Sequence, residues 1–208
     1  MSKIKASTIT VFALLTALVV SSASAYVLLS PRRSWFVTPT VIVDDRGASS
    51  ITDGDGGATR TVNAITSNAA WNGSGSGTVL NAVKGSVAAW RLGDGIPMLN
   101  FRDPQRACKG SCLAATFTGY YRQVGGAYEI YDADIVTNTR YAWTSQGEPD
   151  GCSSEFYIEG VQVHEVGHLL GLGHTNVTGA TMYPSVSSCN NNPATTEADD
   201  EAGINDLY

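Results

Sequence analysis

The three histidines of this chain all lie in the eleven-residue stretch His164–His174, which is HEVGHLLGLGH. His164 and His168 are four residues apart, so on a helix both imidazoles project from one face about one turn apart. Gly171 stands where a glycine in the left-handed conformation can end a helix and reverse the chain. That reversal can bring His174 back toward the other two histidines. The stretch therefore predicts a helix and a tight turn that together gather three imidazole nitrogens.

Three nitrogen ligands are the set that catalytic zinc uses, because a fourth position stays open to water. Zinc lowers the pKa of that water from about 15.7 to about 7. Glu165 follows the first ligand, and we expect it to take the water's proton and pass it to the leaving amine of a peptide bond. The alternative is that these are ordinary surface or core histidines around a chance H-E-x-x-H. The extended pattern fixes five positions, which disfavours that alternative.

Composition favours one folded domain behind an export signal. Of the 208 residues 43% are hydrophobic and 15% charged, which is enough apolar material for a packed core. Residues 1–25 have a basic start, an apolar run over 9–20 and a small-x-small end at Ala25, which predicts a signal peptide cut after Ala25. The alternative, an uncleaved anchor, needs an apolar run of about 20 residues. We therefore expect a secreted catalytic domain over 26–208, extracellular or periplasmic.

The charge balance limits the partners of the exported chain. The chain has 13 basic and 19 acidic residues, and loss of Lys3 and Lys5 with the signal would leave 11 against 19, a net charge of −8. An acidic protein has no general attraction to nucleic acid or anionic lipid. We expect no nucleic-acid partner and no stable membrane insertion after signal cleavage. We expect a monomer that acts on a protein or peptide substrate.

Four cysteines in an exported chain suggest two disulfides, for which three pairings are possible. We favour Cys108 with Cys112, which closes the loop CKGSC, and Cys152 with Cys189, which braces the segment around the histidines. The alternative for the C-x3-C pair is a metal site, but that site would lack histidine partners.

The hydrophobic pattern predicts an α/β (α+β) domain with one sheet. We expect extended segments at 35–43, 96–101, 113–121 and 127–138. We expect helices at 59–71, 158–170 and 195–208. Thr196 and Asp199 have the spacing of a capping box for the last helix.

The histidine motif, with Thr175 after it and Ala180–Pro184 (ATMYP) downstream, resembles the metzincin metallopeptidases, and within them the matrixins. Matrixins carry a small hydroxyl residue after the third histidine and a Met-turn of the form A-x-M-Y-P. The resemblance implies that Met182 lies beneath the histidines as a hydrophobic floor. It also implies that Tyr183 and Pro184 line the pocket for the residue after the scissile bond. For Met182 alone, the alternative is ordinary core packing.

The resemblance extends over about 158–208 and over YDADIVTN at 131–138. It implies a metzincin-like single domain, with a twisted mixed sheet, an active-site helix and a C-terminal helix. In matrixins, aspartates such as Asp199 and Asp200 support the Met-turn by hydrogen bonds; on their own they are also typical acids near a helix N-terminus. The small size and simple signal suggest a bacterial member.

The resemblance also raises the question of further metals and of latency. Animal matrixins hold a structural zinc with extra histidines and have a blocking propeptide cysteine, and we expect neither here. Calcium is possible at two acidic places, Asp53 with Asp55 or Asp132 with Asp134. Neither pair follows an EF-hand pattern, and solvated turn acids are the alternative.

Metzincins bind an extended peptide antiparallel to an edge strand above the zinc, which provides main-chain hydrogen bonds independent of side chains. The resemblance assigns this edge to a short run of mostly small residues: Leu113, Ala114, Ala115, Thr116 and Phe117. We take the N–H of Ala115 as a candidate contact with the substrate. The alternative is an interior strand.

Two other functions fit the same motif. One is a non-catalytic zinc-binding surface protein of the same fold, against which the presence of Glu165 argues. The other is a narrow-specificity processing protease or toxin, which would leave general substrates uncut.

Overall fold

The computed structural model describes residues 25–208 except 76, 78, 88, 124, 149 and 150. The predicted signal peptide therefore lies outside the described residues, apart from Ala25. Within the described part, no helix combines the length and the apolar character needed to cross a membrane.

Six strands form one twisted sheet. They are β1 (Arg33–Ser34), β2 (Thr40–Asp44), β3 (Asn81–Gly85), β4 (Met98–Asn100), β5 (Ala114–Arg122) and β6 (Tyr128–Thr137). The order is β1-β6-β4-β2-β3, with all these pairs parallel, while β5 pairs antiparallel with β6. A short parallel pair, β7 (Trp143–Thr144) and β8 (Phe156–Tyr157), lies apart from it. The predicted mixed α/β architecture is confirmed.

In the described part of the chain, three α-helices accompany the sheet: α1 (Ala58–Ile65), α2 (Ile158–Leu170) and α3 (Ala198–Leu207). Short 3₁₀ helices occur at Trp71–Gly73 and Asn192–Ala194. The bounds predicted for the motif helix are confirmed, because the apolar pattern and the Gly171 cap both mark them. Eleven of the thirteen residues of α2 are buried. His164 and His168 are the half-buried exceptions, so they mark the one face of α2 that meets a cleft.

Several predicted bounds were wrong for local reasons. Only the second half of the first expected strand, 35–43, lies in a strand, β2, and Pro39, which has no N–H to give to a sheet, directly precedes it; β1 lies before the expected range. The first helix ends at Ile65 rather than at residue 71. Directly after this end, the hydroxyl of Thr66 donates to the carbonyl of Val62 (2.7 Å) and so competes with the backbone hydrogen bonds of the helix. β3 was not predicted, because NAVKG is a largely exposed edge strand without an apolar run.

The capping box of α3 is also shifted by one residue from the prediction. Glu197 and Asp200 form it, rather than Thr196 and Asp199. Asp200 is drawn inward because it also accepts backbone hydrogen bonds from the segment at 181–182.

The two faces of β6 differ. Ala133 and Ile135 belong to the hydrophobic core shared with α1 and α2. Asp132 and Asp134 alternate with them and are also buried, on the opposite face. The loop before β4 lies over that opposite face, because the backbone N–H groups of its residues 93 and 94 donate to Asp132.

Both disulfides favoured from the sequence are present. Cys108 is bonded to Cys112, and Cys152 is bonded to Cys189. The first closes the loop that leads into β5, and the second ties the segment before α2 to the segment before α3.

Candidate active site

The three imidazoles converge on one point at the end of α2. The Nε2 atom of His174 lies 3.3 Å from that of His164 and 3.1 Å from that of His168. Tetrahedral zinc binds nitrogen at about 2.0–2.1 Å, which sets two such ligands about 3.3 Å apart. The observed spacing therefore fits a zinc ion held by these three nitrogens.

The other ring nitrogens fix the orientation of two of these side chains. Nδ1 of His164 lies 2.6 Å from the carbonyl of Thr181, and Nδ1 of His168 lies 2.8 Å from the carbonyl of Leu172. A carbonyl only accepts, so each Nδ1 carries the proton and each Nε2 keeps its lone pair for a metal. Burial also lowers the pKa of both rings to about 4, which keeps them neutral at pH 7.

The turn that returns His174 depends on Gly171. This residue has φ of 114° and caps α2, with its N–H directed to the carbonyls of residues 167 and 168. A Cβ there would also lie 2.4 Å from the carbonyl oxygen of Arg33. Both the backbone conformation and the space therefore require glycine.

The carboxylate of Glu165 is buried beside the histidines. Its Oε2 lies 2.6 Å from the hydroxyl of Thr116 on β5. Burial raises the pKa of Glu165, while His168 and the Thr116 hydroxyl lower it. A carboxylate in this setting is a stronger base than an exposed one. The sequence analysis placed Thr116 on the edge strand but missed this contact.

Met182 is buried against the middle of α2. A Cβ on Gly167 would lie 2.2 Å from the sulfur of Met182 and 2.8 Å from the ring of Trp71. The absence of a side chain at Gly167 therefore lets Met182 and Trp71 pack against the helix backbone at the position directly before His168. The sequence analysis missed this role; the signal was a glycine inside a predicted helix, which usually has a packing reason.

One of the two aspartates in the first turn of α3 reaches the Met-turn. The carboxylate of Asp200 accepts the N–H groups of Thr181 (2.8 Å) and Met182 (3.0 Å). Asp199 instead accepts the N–H of Ala25, at 2.6 Å.

A cleft of about 640 Å³ opens in front of the histidines. Its mouth carries His164, Glu165 and His174, with Tyr183 and Pro184 to one side. Its remaining wall is largely apolar and includes Leu113, Ala114, Tyr141, Phe156, Val161 and Val186. The cleft can therefore take an apolar side chain next to the three ligands.

β5 has one unpaired edge in the described part of the chain, since it pairs only with β6. The N–H of Asn138 donates to the carbonyl of Leu113 at 2.9 Å. Antiparallel pairs alternate, so Ala115 also directs its N–H and C=O to β6, and Ala114 and Thr116 direct theirs to the open edge. The N–H of Ala115, the candidate contact with the substrate, therefore points toward β6 and not toward the open edge.

The two acidic places differ in how their oxygens are used. Asp53 accepts the Gly57 N–H and the Ser145 hydroxyl, and Asp55 pairs with Lys84 at 2.9 Å. These acids stabilise the start of α1.

In contrast, both carboxylate oxygens of Asp134 and one of Asp132 are buried and make no hydrogen bond of good geometry among the described residues, although the backbone N–H groups of Arg91 and Met98 lie close enough to Asp134 to lower its pKa. Burial, with the charges of Asp132 and Asp94, raises the pKa of Asp134 to about 7. A further grouping of potential ligands, Cys152, Glu155 and Cys189, offers no thiolates because its two sulfurs form a disulfide.

The mixed sheet, the three convergent histidines and the buried methionine turn define a metzincin-type metal centre. A family model described as Matrixin matches residues 105–208, which is half of the chain. The chain belongs to the matrixin family.

Three curated proteins illustrate the similarity. Metalloendoproteinase 1 of Glycine max is 41% identical over 91 residues, which cover 41% of this chain and 28% of that protein. Metalloendoproteinase 1-MMP of Arabidopsis thaliana is 47% identical over 94 residues (44% and 25%). Matrilysin of Rattus norvegicus is 41% identical over 66 residues (32% and 23%). The chain thus matches roughly a quarter of the length of these relatives, and their plant and rat origins give no support to the expected bacterial source.

Proposed function

We propose that this chain is a secreted, zinc-dependent endopeptidase that hydrolyses internal peptide bonds of proteins. The observation that carries the proposal is the spacing of the three Nε2 atoms, with His174 at 3.3 and 3.1 Å from the other two, beside a buried carboxylate in an open cleft. The plant relatives are named metalloendoproteinases, which agrees with this activity.

In this mechanism His164, His168 and His174 would hold the zinc ion. When bound, Zn²⁺ supplies a Lewis acid that polarises the scissile carbonyl and acidifies a water molecule. Glu165 accepts a proton from the attacking water and delivers it to the nitrogen of the leaving amine. The two transfers can use one carboxylate because it returns to its ionised form at the end of each cycle.

Thr116 and the carbonyls behind the histidines keep these groups in place. The Thr116 hydroxyl fixes one oxygen of Glu165, which leaves the other oxygen for the water. The carbonyls of Thr181 and Leu172 prevent rotation of two imidazoles. Such fixed geometry lowers the reorganisation needed during the reaction.

The substrate would lie antiparallel to β5 and pair with the open-edge groups of Ala114 and Thr116. The side chain after the cut would enter the cleft beside Tyr183 and Pro184. Because the wall there is largely apolar, we expect a medium apolar side chain at that position.

For calcium, the contacts favour Asp132 and Asp134 over Asp53 and Asp55. Three of the four carboxylate oxygens of the first pair are buried without a hydrogen bond of good geometry, whereas the second pair is engaged in hydrogen bonds and an ion pair. Either a proton on Asp134 or a Ca²⁺ ion would neutralise the buried charge. The melting temperature is measured with and without Ca²⁺. A rise with Ca²⁺ would indicate the cation, and no change would indicate the proton.

The test of the function uses the exported protein, which we expect to begin at Tyr26 by N-terminal sequencing. A peptide library derived from a digested proteome is incubated with the protein, with and without a zinc chelator. We expect chelator-sensitive cuts before medium apolar residues, restored by added Zn²⁺. Bound zinc without any cut would favour the non-catalytic protein, and cuts in a single target would favour the processing protease.

A further inference from the structure

A second cavity, of about 600 Å³, lies beside the cleft and is bordered by cationic side chains. Arg106, Lys109 and Arg140 line it, together with one acid, Asp103. Lys109 also lines the cleft in front of the histidines, so the two cavities share a wall. We call the second cavity the basic pocket.

The three cations of the basic pocket have no hydrogen bond or ion pair from their side chains to any described residue. The one acid of the lining, Asp103, forms no ion pair with them; its carboxylate accepts the N–H groups of Ala107 (2.9 Å) and Cys108 (2.8 Å) and keeps its charge, so the lining carries three positive charges and one negative charge. Three like charges therefore gather in a chain whose overall charge is −6. Like charges held together repel, and an anion placed among them relieves the repulsion.

The backbone around the basic pocket is braced. The disulfide from Cys108 to Cys112 closes the loop that carries Lys109. The buried side chain of Asn138 donates to the carbonyl of Cys112 at 2.7 Å and accepts the N–H of Arg140 at 3.0 Å. The loop and the segment after β6 are thus tied together, so the backbones that carry Lys109 and Arg140 are pre-positioned for a ligand.

The direction of a bound peptide determines which of its residues lie near the basic pocket. A peptide bound antiparallel to β5 runs from the end of β5 toward its start. The part of the peptide after the scissile bond therefore lies beside the residues that precede β5. Ser111, Cys112 and Leu113 line the cleft along that path, and Lys109 follows. Because Lys109 lines both cavities, a peptide that leaves the cleft past Leu113 comes to the basic pocket a few residues after the cut.

We infer that the basic pocket binds a carboxylate of the substrate, a few residues after the scissile bond. The enzyme would then prefer proteins with Asp or Glu at that place. This inference rests on the proposed peptidase function for its direction of binding, but the charge of the pocket does not depend on catalysis.

The test measures binding separately from cleavage. The zinc-loaded Glu165→Gln protein is titrated with C-terminally amidated peptides that carry Leu after the expected cut and either Glu or Gln at the second, third or fourth following position. We expect about fivefold tighter binding of Glu than of Gln at one position, from two exposed charge pairs. The preference should shrink in about 0.5 M NaCl.

The double variant Lys109→Gln, Arg140→Gln should lose this preference. Arg122→Gln is the matched control, since Arg122 is an exposed cation at the other end of β5. Peptides with Gln throughout and a free C-terminus form a further arm: tight binding there would show that the pocket takes the chain end. Equal binding of Glu and Gln at all positions, with no gain from a free C-terminus, would overturn the inference, and so would a preference that persists in the double variant.

The kinetic arm uses the unmodified Glu165 protein and the same peptides. We expect kcat/KM to follow the binding preference. If no peptide is cut, the proposed function fails, while the binding result still decides the nature of the pocket.

Discussion

Asp200 is the residue whose removal should most clearly link stability to the metal centre. Its carboxylate is only 1% exposed and accepts three backbone N–H groups, those of Thr181 (2.8 Å), Met182 (3.0 Å) and Glu197 (3.0 Å). The carbonyl of Thr181 in turn lies 2.6 Å from Nδ1 of His164. Asp200 therefore holds the piece of backbone that orients one of the three ligands.

The expected cost follows from these contacts. In Asp200→Ala, the N–H groups at 181 and 182 stay buried without a partner, at about 1–3 kcal/mol each. The start of α3 also loses one half of its capping box, the acceptor of the Glu197 N–H, which costs up to about 1 kcal/mol. We expect a loss of about 2–7 kcal/mol from the free energy of unfolding, against a typical total of about 5–15 kcal/mol. Asp200→Asn keeps one acceptor oxygen and should lose roughly half as much.

Denaturant unfolding of the metal-free proteins measures this cost, and competition with a zinc chelator measures zinc affinity. In Asp200→Asn we expect both the free energy of unfolding and the affinity for zinc to fall. Asp206→Asn is the matched control, because Asp206 is in the same helix and forms an exposed ion pair with Arg32, which is worth at most about 1 kcal/mol. A loss in Asp200→Asn no larger than in the control, or a loss of stability with unchanged zinc affinity, would refute this reasoning.

Three further substitutions give independent tests. Gly167→Ala should destabilise the protein by about 1–3 kcal/mol in denaturant unfolding, because the new methyl overlaps Met182, although alanine is otherwise favoured in helices. Thr116→Val should lower kcat about tenfold in peptide cleavage, with KM and zinc content unchanged, because Glu165 loses a hydrogen bond of about 1–1.5 kcal/mol. Asp134→Asn should raise the melting temperature at pH 8 but not at pH 4 in chelator. The folded pKa of Asp134, about 7, is above its ordinary value of 3.8, so the wild type loses stability as pH rises through this window.

Each of these tests has a clear contrary result. An unchanged or higher stability of Gly167→Ala would mean that the methyl is accommodated. Thr116→Ser should restore kcat, and a serine variant as slow as the valine variant would show a packing role instead. Destabilisation of Asp134→Asn only when Ca²⁺ is present would assign the buried oxygens to a cation rather than to a proton.

The motif helix could be predicted to the residue because its determinants are local. The histidine spacing, the apolar pattern and the Gly171 cap all lie within α2 and the turn that follows it. The Met-turn residues lie close behind in sequence, and the disulfide pairings followed from loop closure and proximity to this segment.

The remaining features depend on contacts between distant parts of the chain. β3 is a strand because β2 pairs with it, not because NAVKG has a strand pattern. Asp200 takes the capping position because it also binds the backbone at 181–182.

The basic pocket and the Thr116 contact share this origin. Arg106 and Lys109 are far from Arg140 in sequence, and only the pairing of β5 with β6 brings their segments together. The same pairing sets Thr116 over α2, where its hydroxyl meets Glu165.

The central claim is that one zinc ion and the Glu165 carboxylate together cleave peptides. It is tested most directly by measuring zinc content and kcat/KM side by side for the wild type and Glu165→Gln. We predict about one zinc per chain in both proteins and a loss of about 10²–10⁴-fold in kcat/KM in the variant, the usual contribution of a general base. Zinc-loaded Glu165→Gln that cuts peptides at the wild-type rate would contradict the mechanism, and wild-type protein that cuts peptides without zinc would contradict the metal centre itself.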